Sequence, residues 1–400
     1  MGVYLCNKYI DMQTSLFENT ETAFALKSDS ELERAYFLFK MISKEPLVRI
    51  GTAAARFALG ANLPVEGLIR STVFDHFCGG VNEQDCMTSV DKLYSANVCS
   101  VLDYSVEGKE EAASFDECMN KVIGLVKFAD EKEAMPIVVF KPTGVGRFAI
   151  WQKLTEGEEL DAKEQVEWER IKERVNAICK IAYERDVEVL IDGEESWMQG
   201  AADDLVAEMM ALYNKEKPIV YNTLQCYRHD RLDYLKKLHL EARARGFTIG
   251  IKVVRGAYME KEHKRAKEKG YPTPICATKQ ATDENFNATM RYIIENLNDI
   301  SLFLGTHNED SSLLAVKLMG EMGIAKEDNR VWFGQLYGMS DHISFNLAKE
   351  GYNVAKYLPF GPVKDVMPYL MRRAEENTSV AGQTNRELEL LKAEKKRRRL

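Results

Sequence analysis

Eight short apolar runs, each leading into a polar loop or a longer amphipathic stretch, constrain the fold of this chain more than any other feature. They lie at 98–104, 136–140, 187–191, 219–224, 248–254, 301–305, 331–335 and 354–359. Runs apolar on both faces and alternating with helical patterns, such as 162–185 and 230–245, read as parallel strands with helical crossovers. Eight such units can close into a (β/α)8 barrel of about 250 residues. An open doubly wound sheet is the competitor, but its glycine fingerprint is incomplete: Gly144 and Gly146 follow the second run without a third glycine. The expected fold is therefore α/β. A distorted barrel over 93–380 is preceded by a helical region over 1–92 that packs on it, and followed by a polar tail over 381–400.

The helical region carries little chemistry. A helix over 30–42 has Ser30 as its expected cap and Glu33 at the capping-box position. Further helices are expected over 46–57 and 64–76. A hydrophobic content of 45% suffices for one large core. The net charge of -8 is spread along the chain, which argues against nucleic acid as a partner. No apolar run reaches eighteen residues, and the N-terminal stretch resembles neither a signal peptide nor a transit sequence. The eight cysteines form no C-x-x-C pair. Reduced thiols in a cytoplasmic setting are the expectation.

If the barrel is correct, chemistry belongs just past the strand ends. After the eighth run the chain reads YLPFGPVKDVMPYLMRRAEEN, in which Tyr369, Arg372, Arg373 and Glu376 fall at i, i+3, i+4 and i+7 on one helix face. Two guanidinium forks beside a phenol make a carboxylate clamp. For an isolated Arg-Arg pair, salt bridges to Glu375 and Glu376 on a solvated face would be the plainer reading. Its place after a strand end favours the clamp.

This segment resembles the C-terminal signature of the proline dehydrogenase family, and further motifs in the family's order extend the resemblance over roughly 95–380. The resemblance implies an FAD-dependent barrel enzyme that oxidises L-proline to pyrroline-5-carboxylate and passes electrons to a membrane quinone. Arg372, Arg373 and Lys141 (in VVFKPTG) would hold the substrate carboxylate, with Glu107 pairing Arg372. Tyr357 and Leu336 would pack the substrate ring, and Tyr369 would close the pocket. An aromatic at Tyr357 favours proline over hydroxyproline, for which relatives tend to have a small residue there.

Asp192, in IDGEE, is placed by the resemblance near flavin and substrate. Gln225, Lys252 and the Arg255-Gly256-Ala257-Tyr258 segment would line the flavin, although many relatives exchange Arg and Lys at the positions of Lys252 and Arg255. Thr278, Lys279, Thr282 and Asp283 resemble a segment over the adenosine-phosphate part of FAD. On residue chemistry alone they are helix-capping residues for a helix from about 284. Thr306, His307, Asn308, Gln335 and Glu376 complete the expected cofactor set, with no metal. The substrate nitrogen must be unprotonated to release electrons, so activity should rise with pH.

Other readings remain at this point. A hydroxyproline dehydrogenase of the same family is one. A Schiff-base aldolase with Lys141 or Lys252 as nucleophile is another. The basic end EKKRRRL reads as a solvated helix end, with binding of nucleic acid or anionic lipid as the alternative. A peripheral membrane contact is expected from the resemblance, and no motif locates it.

Overall fold

The computed structural model describes residues 16–61, 64–104, 111–379 and 381–400. Its strands are β1 (Val98–Tyr104), β2 (Ile137–Phe140), β3 (Glu188–Ile191), β4 (Val220–Gln225), β5 (Ile249–Val254), β6 (Ile300–Gly305), β7 (Val331–Leu336) and β8 (Val354–Phe360). They close in chain order into one barrel. The expected runs differ from these strands by one residue at most at either end. Continuous apolar character marks them because both faces are covered: β2, β4 and β8 are buried along their whole length.

Two compact units are distinguished, one comprising Met1–Glu107, His307–Leu313 and Gly334–Leu400, the other Gly108–Thr306 and Leu314–Phe333. In the first, β1 pairs in parallel with β8, from Val98 opposite Val354 to Tyr104 opposite Phe360. The helix Val363–Ser379 buries Val366, Tyr369, Leu370 and Met371 against Ile42, Phe74 and Phe77. In the second unit, β2 to β6 pair in parallel, neighbour to neighbour. Their crossovers include the helices Ala162–Glu184, Ser196–Tyr213 and Arg231–Arg245.

Several local expectations are corrected. The helix Asp29–Ile42 is capped by Ser28, not Ser30, and its capping box closes on Glu31, not Glu33. Ser28 has the extended backbone that a cap requires, and the helix already includes Ser30. The expected helix over 64–76 is helical from Glu66 to Phe77 but contains a π segment, Arg70–Phe74. The charged helix Met259–Lys269 is not wholly solvated. Its Glu262 is buried, and the carboxylate accepts from Ser196 N at 2.7 Å and Ser196 Oγ at 2.6 Å.

The polar end of the chain differs most. Residues Ala381–Arg398 form a helix, and Leu390 and Leu391 pack with Ala23, Phe24, Leu32, Ala35 and Phe39. Its basic end stays exposed at Lys396, Arg397 and Arg399, as expected, while Arg397 and Arg398 bind the buried Glu394 at 2.8 and 2.7 Å, and Arg398 also donates to the carbonyls of Phe24 and Lys27.

Candidate active site

In the second unit, the ends of β2, β3 and β5 bring three sequence-predicted residues together. Asp192 accepts from Lys252 through Oδ1 and lies 3.9 Å from Lys141 Nζ through Oδ2. Lys252 is only 7% exposed, so a carboxylate partner offsets the cost of burying its charge.

Behind Lys141, Thr143 donates its N–H and its hydroxyl to the two oxygens of Glu194 at 3.0 and 2.7 Å. Burial raises the Glu194 carboxyl to about 7, against the lowering effect of the Thr143 hydrogen bonds. Between an unfolded pKa of about 4.3 and that value the folded state binds the extra proton, so this group's stabilisation is present at low pH and lost as pH rises through about 7. Glu194→Gln should flatten the stability slope by roughly 3 kcal/mol across that window. Urea midpoints from pH 4.5 to 8 measure it, and a slope unchanged by the substitution would mean an ionised carboxylate at neutral pH.

Gln225, at the end of β4, is 2% exposed, and its Oε1 has no partner among the described residues. A buried amide acceptor is costly without a donor, so an external N–H or O–H fits there. Arg255, after β5, donates to Asp283 at 2.8 Å and to Thr306 at 2.9 Å, with its guanidinium 4.3 Å above the Phe286 ring. Lys279 holds the other Asp283 oxygen at 2.7 Å. Gly256 has φ of 124°, and a Cβ there would meet the Tyr227 ring at 2.5 Å. Only glycine fits that turn.

The helix expected from about 284 starts earlier, as Lys279–Glu295. Thr278 is its cap, accepting from Ala281 N at 3.0 Å, and Thr282 and Asp283 lie in its opening turns. Ala257 and Tyr258 follow Gly256 and lead into the Met259–Lys269 helix. Cations, hydroxyls and a helix N-terminus here suit a phosphate-bearing ligand, and the Gln225 amide suits a heteroaromatic edge.

In the first unit, Tyr357 on β8 is buried, as is Tyr369. Leu336, at the end of β7, packs against the cluster that contains Tyr369. The Arg373 guanidinium lies 5.3 Å from the centre of the Tyr369 ring, and Arg372 is partly buried on the same helix. Gln335 Oε1 accepts from Ser344 Oγ at 2.8 Å. His307 Nδ1 lies 3.0 Å from Ser340 Oγ. Burial, with the charges of Lys356 and Arg373, lowers the His307 pKa to about 3, so the ring is neutral. Asn308 Oδ1 accepts from Ser311 N at 2.8 Å, at the start of the Glu309–Glu321 helix.

Glu107 and the Glu376 side chain lie outside the described residues, so neither the Glu107–Arg372 pair nor the flavin role of Glu376 is placed. Three participants escaped the sequence reading: Thr143, Ser340 and Glu387, which accepts from Ser340 N, whereas Glu194, with Asp192 an inward candidate of the IDGEE segment, anchors the loop after Lys141. Glu387 had a legible signal. With Leu390, Leu391 and Glu394 it forms an i, i+3, i+4, i+7 stripe, and all four are buried.

The sequence model of the family described as proline dehydrogenase matches residues 86–386. A carbapenem antibiotics biosynthesis protein, CarD, from Pectobacterium carotovorum subsp. carotovorum is 35% identical over 83% of this chain and 86% of its own. A mitochondrial proline dehydrogenase 1 from Arabidopsis thaliana is 32% identical over 96% of this chain and 85% of its own. Among solved structures, proline utilization A (PutA) from Bdellovibrio bacteriovorus, inactivated by N-propargylglycine, aligns with a TM-score of 0.74 at 20% identity. That alignment covers 96% of this chain but 43% of the PutA chain, and at this identity the likeness is one of fold.

Proposed function

Because the chain belongs to the proline dehydrogenase family, we propose that this oxidoreductase converts L-proline to 1-pyrroline-5-carboxylate, the first step of proline catabolism to glutamate. FAD is the proposed cofactor, a quinone-type molecule the onward acceptor, and the membrane contact peripheral. No helix among the described residues is long and apolar enough to cross a membrane.

The observation that carries the reading is the grouping after β7 and β8: an apolar wall at Leu336, buried rings at Tyr357 and Tyr369, and a guanidinium over the Tyr369 face. Such a set recognises a small apolar ring with a carboxylate, which describes proline. Arg372 and Arg373 bind the carboxylate, with Lys141 as a further cationic contact. Tyr357 and Leu336 pack the ring, and Tyr369 closes over it. The bulk of Tyr357 disfavours a ring hydroxyl.

For the cofactor, the unpartnered Gln225 amide oxygen is the observation that supports a fit. Gln225, Lys252, Arg255 and the Gly256 turn, with Thr278, Lys279, Thr282, Asp283, Thr306, His307, Asn308 and Gln335, are the residues that would hold FAD. When bound, FAD would accept the hydride from the carbon beside the substrate nitrogen as the nitrogen lone pair forms the C=N bond, with the N–H proton passing to solvent. Asp192, shared by Lys141 and Lys252, keeps both cations in place.

An absorption spectrum taken before and after anaerobic addition of L-proline tests the proposal. Oxidised-flavin bands should bleach with L-proline, and much less with hydroxyproline. Equal bleaching by hydroxyproline would overturn the role of Tyr357. A protein that FAD cannot reconstitute would overturn the flavin reading.

A further inference from the structure

The last helix reaches the segment that carries His307 directly through Arg386 and indirectly through Ser340. Ser340, between β7 and the helix Asp341–Lys349, has φ of 50°, a left-handed backbone that a non-glycine residue adopts only when its surroundings hold it there. Its N–H donates to the carboxylate of Glu387, which is 3% exposed, and its hydroxyl meets His307 Nδ1 at 3.0 Å. On the next residue of the same helix, Arg386 donates to Glu309 Oε1 at 2.8 Å. Glu309 also pairs with His342 Nε2 at 2.9 Å, and it lies two residues beyond His307. The helix is anchored independently by Leu390 and Leu391.

From these contacts we propose that Glu387 is a positioning residue: through Ser340 it holds the His307 imidazole in one orientation. This rests on the reading of His307 as a flavin-side residue and adds a requirement for the Ala381–Arg398 helix.

The physical basis is that a hydroxyl can direct a ring only if its own backbone is fixed. Ser340 is held in its left-handed conformation by the buried hydrogen bond to Glu387. Without that acceptor, the residue can relax to an ordinary φ and its hydroxyl turns away from Nδ1. The imidazole then loses its Nδ1 partner and is free to rotate.

The test uses the full-length chain without flavin, reading His307 by long-range 1H–15N NMR, with the signal assigned by His307→Gln. Wild type should show a single set of neutral-imidazole signals, unchanged from pH 5 to 8. Glu387→Ala should shift and broaden them, whereas Glu387→Gln, which keeps an acceptor oxygen, should retain the wild-type signal. Ser340→Gly tolerates the backbone but removes the hydroxyl, and should reproduce the Glu387→Ala spectrum even if that variant folds poorly. FAD titration of the same proteins should show about tenfold weaker binding for Glu387→Ala and Ser340→Gly, the scale of one lost hydrogen bond. Leu390→Ala controls for loosening of the helix. The proposal is overturned if Glu387→Ala leaves the His307 signal as in wild type, or if Leu390→Ala changes it equally at the same stability loss. A wild-type protein that does not bind FAD would sink the flavin reading, while the NMR comparison would still decide the role of Glu387.

Discussion

Replacing Arg372 or Arg373 by methionine should raise KM for L-proline by about 10²- to 10³-fold while FAD stays bound. The reasoning starts from the helix Val363–Ser379, where Tyr369, on the face that carries both arginines, packs among buried apolar residues. Both guanidinium groups are partly buried, and Arg373 lies over the Tyr369 ring. A substrate carboxylate drawn into such a place gives up water and depends on the forks that receive it. Leaving a desolvated charge partly unpaired costs about 3–5 kcal/mol, against under about 1 kcal/mol for an exposed pair. At about 1.4 kcal/mol per decade, the first figure corresponds to about two to three and a half powers of ten in kcat/KM. Methionine keeps length and helix propensity, so the fold should survive. Steady-state kinetics with the flavin spectrum as control decides the matter. Near-normal KM in both variants would remove the clamp.

The second large effect concerns stability. Asp341→Asn should destabilise the unit that contains it by about 3–5 kcal/mol, read as a lower urea midpoint. Lys356 is 0% exposed in the middle of β8, and Asp341 Oδ1 sits 2.8 Å from its Nζ. Lys27 takes the other oxygen at 3.0 Å. Asparagine would leave two cations around a neutral amide, with Lys356 retaining only the carbonyls of Leu336 and Met339. If the cost is an unpaired buried charge, Lys356→Met in the same background should recover much of the loss, because an apolar replacement of a whole buried pair is often neutral. A loss below about 1 kcal/mol would place the pair in solvent-like surroundings.

The acid limb gives an independent reading. Burial favours the neutral Asp341 carboxyl, but Lys27 and Lys356 outweigh it and hold the group well below the usual carboxylate range. A depressed folded pKa means the stabilisation is complete above an unfolded value of about 3.9 and is lost as pH falls toward the folded one. Wild type should therefore lose more stability than Asp341→Asn on acidification below about pH 4.

Much of this molecule is legible in one dimension. A strand buried on both faces is mostly apolar, so each of the eight strands leaves a trace in the sequence even where a buried polar residue such as Lys356 interrupts it. Arg372 and Arg373 were legible for a similar reason, because helical spacing converts sequence intervals into a shared face. The capping box was misread by two residues because Ser28 and Ser30 offer the same hydroxyl, with acids at Glu31 and Glu33. Backbone conformation chose between them.

The sequence by itself determined the barrel, its strand positions and the polar residues past each strand end, because periodicity and burial act over neighbouring residues. Only the tertiary structure decided that Asp192 serves both Lys141 and Lys252, that Lys356 is buried on Asp341, and that Glu387 reaches Ser340. These partners lie between 15 and 60 residues apart. Which charge compensates which depends on desolvation and on distances set by packing, and neither quantity is written in local composition.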